Sequence, residues 1–185
     1  MLKTRFPARL MPLLYFLLPM PLLAQRELVL KQIDLPHPYY YREMYLPQLT
    51  TGPSSAAWMP DSHSLVYSMA GSLWKQNLNS TTAEQLTAGP GYDYQPDVSP
   101  DGRWVLYSSY NKDAIELWVL DLNSRQSRQL TSNDAVNVEP RFSPDGKRIA
   151  FVSTSYKGHF HIFLADFANG ELRNLQRATG ETRSD

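Results

Sequence analysis

The histidines that lie closest together in this chain are His159 and His161, separated by one residue. On a β-strand, side chains two positions apart point to the same face, so the two imidazoles could share a metal ion. A metal centre requires further ligands, and no third ligand is identifiable from the sequence. We therefore expect the two histidines to be exposed polar side chains at the start of a strand, and keep His159 and His161 as weak metal candidates only.

Motifs of the common enzyme classes are missing from the sequence. It contains no Gly-x-Ser-x-Gly nucleophile elbow, no Walker loop and no Gly-x-Gly-x-x-Gly fingerprint. Cysteine is absent, which excludes thiol nucleophiles, thiolate metal sites and disulfides. Asp101 and Asp145 lie in turn motifs, and we interpret them as turn formers. The sequence predicts no catalytic residue and no cofactor, and leaves open whether a longer parent protein is an enzyme.

The elements that position these residues repeat along the chain. One phrase recurs at spacings of 40 and 44 residues, as Met59-Pro60-Asp61-Ser62, Ser99-Pro100-Asp101-Gly102 and Ser143-Pro144-Asp145-Gly146. A second phrase recurs with it, as Gln48-Leu49-Thr50, Gln85-Leu86-Thr87 and Gln129-Leu130-Thr131. Self-similarity with a period of about 40 residues is typical of a stacked supersecondary unit.

The middle unit shows what each repeat contains. Pro100 presets the backbone at the second position of a turn, and Gly102 supplies the left-handed residue that returns the chain to a strand. Runs at 103–109 and 116–122 are apolar on nearly both faces, which indicates a sheet covered on both sides. Four short strands in about 40 residues are typical of one propeller blade. We predict an all-β fold, a partial β-propeller of about three four-stranded blades plus one N-terminal edge strand.

Residues 1–24 have the pattern of a signal peptide with cleavage near Ala24. Basic residues precede an apolar stretch of 14 residues, which is too short for a membrane span of roughly 20 helical residues. After cleavage, fifteen basic residues remain against eighteen acidic ones, with no stable membrane span. We expect a periplasmic or secreted protein. The near-balanced charge gives no reason to expect a nucleic-acid partner.

The rest of the chain divides into a lead-in, a propeller region and a tail. The predicted boundaries are an extended lead-in at 25–45, a propeller region at 46–176 with an edge strand at 46–50 and blades at 53–87, 94–131 and 139–175, and a polar tail at 177–185. Three blades fall short of the about four to eight that close a propeller. A truncated longer protein, two copies in one ring of six blades, and a partner that supplies the missing blades are the alternatives. The polar tail favours truncation, and open blade faces predict a poorly soluble or oligomeric chain.

Pro-Asp-Gly between two strands, followed by Leu-Trp and then Leu-Thr, resembles the TolB-type propeller repeat over Leu46 to Leu175. The repeat is WD-like, but the Gly-His and Trp-Asp pairs of WD repeats are missing. The stretches 89–96 and 158–163 look, more loosely, like the N-terminal propeller of secreted bacterial amidohydrolase-family proteins. The first resemblance implies a non-catalytic scaffold for protein binding. The second implies a propeller that serves a hydrolase domain outside this chain.

The predicted binding positions lie where one blade leads into the inner strand of the next. Loops on a rigid scaffold are where binding residues concentrate. The candidates for binding a ligand or partner are Tyr92, Asp93, Tyr94, Asn137 and Glu139. An alternative is that Tyr92 and Tyr94 fill the seam between blades. The expected partner is another protein, or a missing propeller or catalytic domain, and self-association through open blade faces is a further possibility.

Overall fold

The fold is described from a computed structural model that defines residues 52–180. The predicted signal peptide, lead-in and edge strand at 46–50, and the last five residues of the tail, lie outside these described residues. The regular secondary structure within 52–180 consists of β-strands throughout. This part of the chain has no helix of the length and hydrophobicity that a membrane crossing requires.

Residues 52–180 form three four-stranded sheets in which each strand pairs antiparallel with the next along the chain. Blade 1 consists of β1 (Ser55–Trp58), β2 (Ser64–Met69), β3 (Ser72–Asn77) and β4 (Ala83–Gln85). Blade 2 consists of β5 (Tyr92–Val98), β6 (Trp104–Asn111), β7 (Ala114–Asp121) and β8 (Gln126–Gln129). Blade 3 consists of β9 (Asn137–Phe142), β10 (Arg148–Tyr156), β11 (His159–Ala168) and β12 (Glu171–Arg177). The prediction of a partial, all-β propeller is confirmed.

The Ser-Pro-Asp-Gly turns close the hairpins between the first two strands of blades 2 and 3. In blade 2, the Gly102 amide bonds to the Ser99 carbonyl at 2.8 Å, and Asp101 accepts hydrogen bonds from the Ser99 hydroxyl and the Arg103 amide. Gly102 has a φ of 72°, in the left-handed region that glycine tolerates best. Blade 1 has Ser62 at this point with a φ of 55°, so its turn keeps the left-handed geometry without glycine.

The blades stack face to face in chain order, and the core lies in the two seams between them. The seam between blades 1 and 2 is formed by Met59, Val66, Leu73, Val105, Tyr107 and Leu120. The seam between blades 2 and 3 is formed by Leu106, Leu117, Val119, Ile149, Phe151, Phe163, Ala165 and Phe167. Because alternate residues of β6 and β7 enter different seams, both faces of blade 2 are dry, as the doubly apolar sequence of these strands predicts.

A threonine that follows each outer strand accepts a hydrogen bond from a backbone amide in the third strand of the same blade, and we call this contact a threonine clasp. The hydroxyl oxygens of Thr87, Thr131 and Thr179 accept the amides of Leu73, Leu117 and Ile162, at 3.0, 2.9 and 3.1 Å. The first two threonines belong to the repeated Leu-Thr phrase. The third follows Ala178, and a register shift between β11 and β12 separates it from the expected position. The three clasps define which positions of the three blades are equivalent.

Candidate binding surface on the inner strands

The first strands of the blades, β1, β5 and β9, lie side by side, and polar side chains link them. The backbone amide of Gln95 donates to Ser55 Oγ at 3.0 Å, and the backbone amide of Glu139 donates to Gln95 Oε1 at 2.9 Å. Further along, the Phe142 amide donates to Asp97 Oδ2 at 2.6 Å. We call Ser55, Gln95, Asp97 and Glu139 the inner-strand row. In a closed propeller, the inner strands line the central channel, so in a closed ring this row would lie on the channel wall.

Two members of the row have strained backbone. Gln95 and Glu139 have φ angles of 52° and 53°, in the left-handed region that costs a residue with a Cβ roughly 1–2 kcal/mol. Each residue lies in a bulge where two residues of the inner strand oppose one of its neighbour. The row's hydrogen bonds hold both amides toward the preceding blade. Strain of this kind persists where the surrounding structure enforces it, and it concentrates at functional sites.

Asp97 is the member of the row whose side-chain pKa is shifted from its ordinary value. Its carboxylate is half-buried between β5 and β9. Burial raises the pKa of Asp97 above its ordinary value, while the Phe142 amide and the positive charge of Arg141 act in the opposite direction. Asp97 thus stays protonated to a higher pH than a solvated aspartate.

Of the five residues predicted to bind a partner, only Glu139 is exposed. Tyr92 and Tyr94 are buried in one cluster with Ile115, Val136 and Val138, the seam position that the sequence offered as an alternative. Burial raises the pKa of the Tyr94 hydroxyl. A binding role for the tyrosines therefore stays a prediction, and their packing gives them a structural role.

The two remaining candidates, Asp93 and Asn137, are also buried and belong to polar networks. Asp93 Oδ1 accepts the Ser109 hydroxyl at 2.6 Å. Asn137 Nδ2 donates to Glu116 Oε2 at 3.0 Å, and Glu116 also accepts the Thr131 hydroxyl. The other carboxylate oxygen of Glu116 accepts the amides of residues 133 and 134, at 3.0 and 3.1 Å. These contacts fix the connection from β8 to β9.

The two histidines of the metal hypothesis lie at the start of β11. His159 is exposed, whereas His161 is buried against the edge of the Tyr156 ring, with Nδ1 3.3 Å from Thr179 Oγ1. Within residues 52–180, no three side chains of His, Cys, Asp or Glu come together in a group able to hold a metal ion.

The sequence reasoning missed Ser55, Gln95 and Asp97. One signal was available for Gln95, because Gln95-Pro96 and Glu139-Pro140 each stand four residues before the Ser-Pro of the following turn. Glu139 is among the predicted binding residues, and its counterpart Gln95 is not. Ser55 and Asp97 have no counterpart of the same type in the other repeats, so repetition gave no signal for them.

Comparison with known proteins places this architecture. Residues 41–184 match the family model described as the TolB beta propeller domain. The crystal structure of TolB from Acinetobacter baumannii is similar, with 30% sequence identity and a TM-score of 0.63 over 71% of this chain and 33% of that one. Putative TolB from Agrobacterium tumefaciens has 24% identity and a TM-score of 0.59 over 68% of this chain and 48% of that one.

A third structure shares the fold alone. The β-propeller domain of the Trilobed protease from Pyrococcus furiosus has 15% identity and a TM-score of 0.53, over 71% of this chain and 43% of that one. No curated protein gives a significant match in sequence. The chain spans from a third to just under half of the two TolB structures. Since the family model covers most of its length, the chain belongs to the TolB beta propeller domain family.

Proposed function

We propose that this chain is an exported propeller unit that binds a protein partner through the inner-strand row and catalyses no reaction itself. The observation that carries the proposal is the pair of strained bulges at Gln95 and Glu139. A plain strand would avoid this strain, as β1 does by pairing with β2 without interruption. The bulges present a carboxylate and an amide on the channel wall, where a partner's backbone or polar side chains can reach them.

The chemistry of the row favours a polypeptide segment as the ligand. Asp97 and Glu139 supply carboxylates, Gln95 supplies an amide, and the guanidinium of Arg141 lies beside them in β9. Such a mixture of acceptors and donors matches the backbone and polar side chains of an extended peptide. These residues do not form a run of positive charge, so the row does not favour a polyanion as the ligand.

Export of the chain is supported by residues 1–24. A basic start, an apolar stretch and a small residue at position 24 match a secretory leader that is removed during export. N-terminal sequencing of the protein recovered from the periplasm or medium should begin at or next to Gln25. Recovery of the full chain only in the cytoplasm would contradict export.

The experiment that tests the binding function is site-specific photo-crosslinking in the producing cell. A photoreactive phenylalanine replaces Glu139, and a matched variant carries it at Gln126, which is exposed on the outer strand β8. We expect a discrete adduct with a protein of different mass from position 139 and none from position 126. Adducts from both positions, or from neither, would overturn the proposal. An adduct with a hydrolase domain would instead favour the amidohydrolase-type parent as the alternative function.

A further inference from the structure

A cavity of about 240 Å³ lies between blades 2 and 3, at the end of the sheets where the Ser-Pro-Asp-Gly turns are. Residues from the segments 99–104, 145–146 and 167–169 line it. These are the turn from β5 to β6, the turn from β9 to β10, and the hairpin that joins β11 to β12. None of the four residues of the inner-strand row lines this cavity. It is therefore a second candidate site, and we call it the turn cavity.

The turn cavity stays open because small side chains meet there. A Cβ placed at Gly146 would have only the ring of Pro100 within 4 Å. The Ser99 hydroxyl is turned back onto its own turn, where it donates to Asp101 Oδ1 and accepts the Trp104 amide at 2.9 Å. Ser99 therefore does not extend toward the turn of blade 3.

The corresponding space between blades 1 and 2 is occupied by a methionine. Met59 holds the place of Ser99 in the repeated phrase. Its Cε lies 3.7 Å from the position of a Cβ on Gly102, the counterpart of Gly146. The sequence thus places a long apolar side chain next to the turn glycine in the first seam and a short one in the second.

Aromatic rings form the floor of the turn cavity. Trp104 and Phe167 meet edge to face, with ring centroids 5.7 Å apart. The guanidinium of Arg103 lies 4.6 Å from the centre of the Trp104 ring, and its Nη2 pairs with Asp121 Oδ2 at 2.9 Å. The positive charge of Arg103 is therefore already balanced by a carboxylate outside the cavity.

Two carboxylates, those of Asp101 and Asp145, stand at the sides of the turn cavity. Within residues 52–180, the hydrogen bonds of both fall on Oδ1, which leaves Oδ2 of each for a ligand. Hydrogen bonds from Ser99 and Ser143 lower the pKa of the two side chains, so both are ionised at neutral pH. The lining thus carries an excess of negative charge beside an apolar floor.

We propose that the turn cavity binds a small organic ammonium ion. Its charged group would pair with Asp101 and Asp145, and its apolar body would rest on the rings of Trp104 and Phe167. An ammonium group carries several N–H donors, which matches two carboxylate oxygens that face one space. The proposal goes beyond the proposed function and does not depend on it, because the inner-strand row takes no part in the site.

The strength of the available interactions favours an organic cation over a metal ion. Both aspartates are exposed, and an ion pair with an exposed carboxylate contributes little in water. Among the described residues, no three acidic or histidine side chains gather in a group able to hold a metal ion. An alkyl or aromatic body adds apolar contact with the floor. The volume lies below the roughly 300–1,000 Å³ of pockets for drug-sized ligands, so the ligand must be small.

Ligand-detected NMR titration of the full chain, purified from an exporting host, tests the proposal with phenethylamine as the probe. Phenethyl alcohol has the same ring without the charge and is the matched ligand. We expect saturable binding of the amine, weakened by salt, and binding of the alcohol at least about fivefold weaker, which is the upper range for one exposed ion pair.

Variants locate the binding on the turn cavity. The double variant Asp101→Asn with Asp145→Asn should bind the amine at least about fivefold more weakly. Asp113→Asn, in the exposed turn at the opposite end of blade 2, is the matched control and should bind as wild type. Ser99→Met copies the residue of blade 1 into blade 2, and we expect it to fill the cavity and abolish binding.

Several results would overturn the proposal. They are equal binding of amine and alcohol, no binding of either, or an unchanged affinity in the double variant. Circular dichroism checks that Ser99→Met is folded, and Ala168→Phe fills the cavity from the β11 side if it is not. Tighter binding of N-acetyl-lysine methylamide than of phenethylamine would also overturn it, since the site would then take the lysine side chain of another protein.

Discussion

The backbone amide of Glu139 donates a hydrogen bond of 2.9 Å to Oε1 of Gln95, so one left-handed residue holds another in the preceding blade. The same oxygen accepts a hydrogen bond from the Ser108 hydroxyl at 3.3 Å, which orients the side-chain amide of Gln95 from within its own blade. Gln95 in turn donates its backbone amide to Ser55 Oγ. The inner-strand row is thus a relay in which a side chain of each blade satisfies a strained backbone in the next.

Replacing Gln95 by alanine should destabilise the contact between blades 2 and 3. Loss of the acceptor removes the exposed hydrogen bond of the Glu139 backbone amide, and a hydrogen bond of this kind contributes about 0.5–1.5 kcal/mol net. Urea denaturation should show this decrease in the free energy of unfolding. Gln95→Glu keeps an oxygen at the same position and should lose less. Equal stability of wild type and Gln95→Ala would show that the relay contributes nothing.

The bulges also show where prediction from sequence stops. The repeated turns and the doubly apolar strands predicted the blades because both signals are local in the chain. The left-handed geometry of Gln95 and Glu139 depends on acceptors in another blade, about 40 residues away in sequence, which no local pattern encodes. Tyr92 and Tyr94 have residue types common in binding sites, and only the packing of the seam reveals that they are buried.

Thr131 should be sensitive to loss of its hydroxyl group and tolerant of serine. Its Oγ1 accepts the Leu117 amide and donates to the Glu116 carboxylate, and all three groups are buried. Thr131→Val leaves the buried Leu117 amide without its acceptor, whereas Glu116 keeps its hydrogen bonds from Asn137 and from the amides of residues 133 and 134. We expect a loss of about 1–3 kcal/mol in the free energy of unfolding. Thr131→Ser retains the hydroxyl and should lose much less. If the valine and serine variants melt at the same temperature, the clasp is not a stabilising contact.

Gly170 offers a test of close packing between blades 2 and 3. It has a φ of 77°, and a Cβ there would stand 3.1 Å from two ring carbons of Trp104. Gly170→Ala should combine backbone strain with this clash and lower the stability by about 1–3 kcal/mol. Gly158 is the matched control, because its φ is 71° and nothing lies within 4 Å of a Cβ placed there. Gly158→Ala reports the strain alone, and calorimetric midpoints equal for both variants would contradict the clash.

The turn aspartates should make the protein sensitive to acid. Hydrogen bonds from the Ser99 and Ser143 hydroxyls are the main cause that lowers the pKa of Asp101 and of Asp145 in the folded chain. An unfolded aspartate titrates near a pKa of about 3.9, so these groups stabilise the fold above that pH. Their contribution is lost as the pH falls through their lower folded values.

Asp97 should act with the opposite sign, because burial raises its folded pKa above the unfolded value. Its favourable contribution is present below the unfolded pKa of about 3.9 and is lost as the pH rises through the folded value. Urea denaturation between pH 3 and 7 tests both signs. The double variant Asp101→Asn with Asp145→Asn lacks the contribution of the turn aspartates, so its stability should depend less steeply on pH than that of wild type. Asp97→Asn should show a steeper rise of stability with pH than wild type. A parallel shift of all three curves would mean that these carboxyls do not govern the acid response, and that the folded chain binds its protons elsewhere.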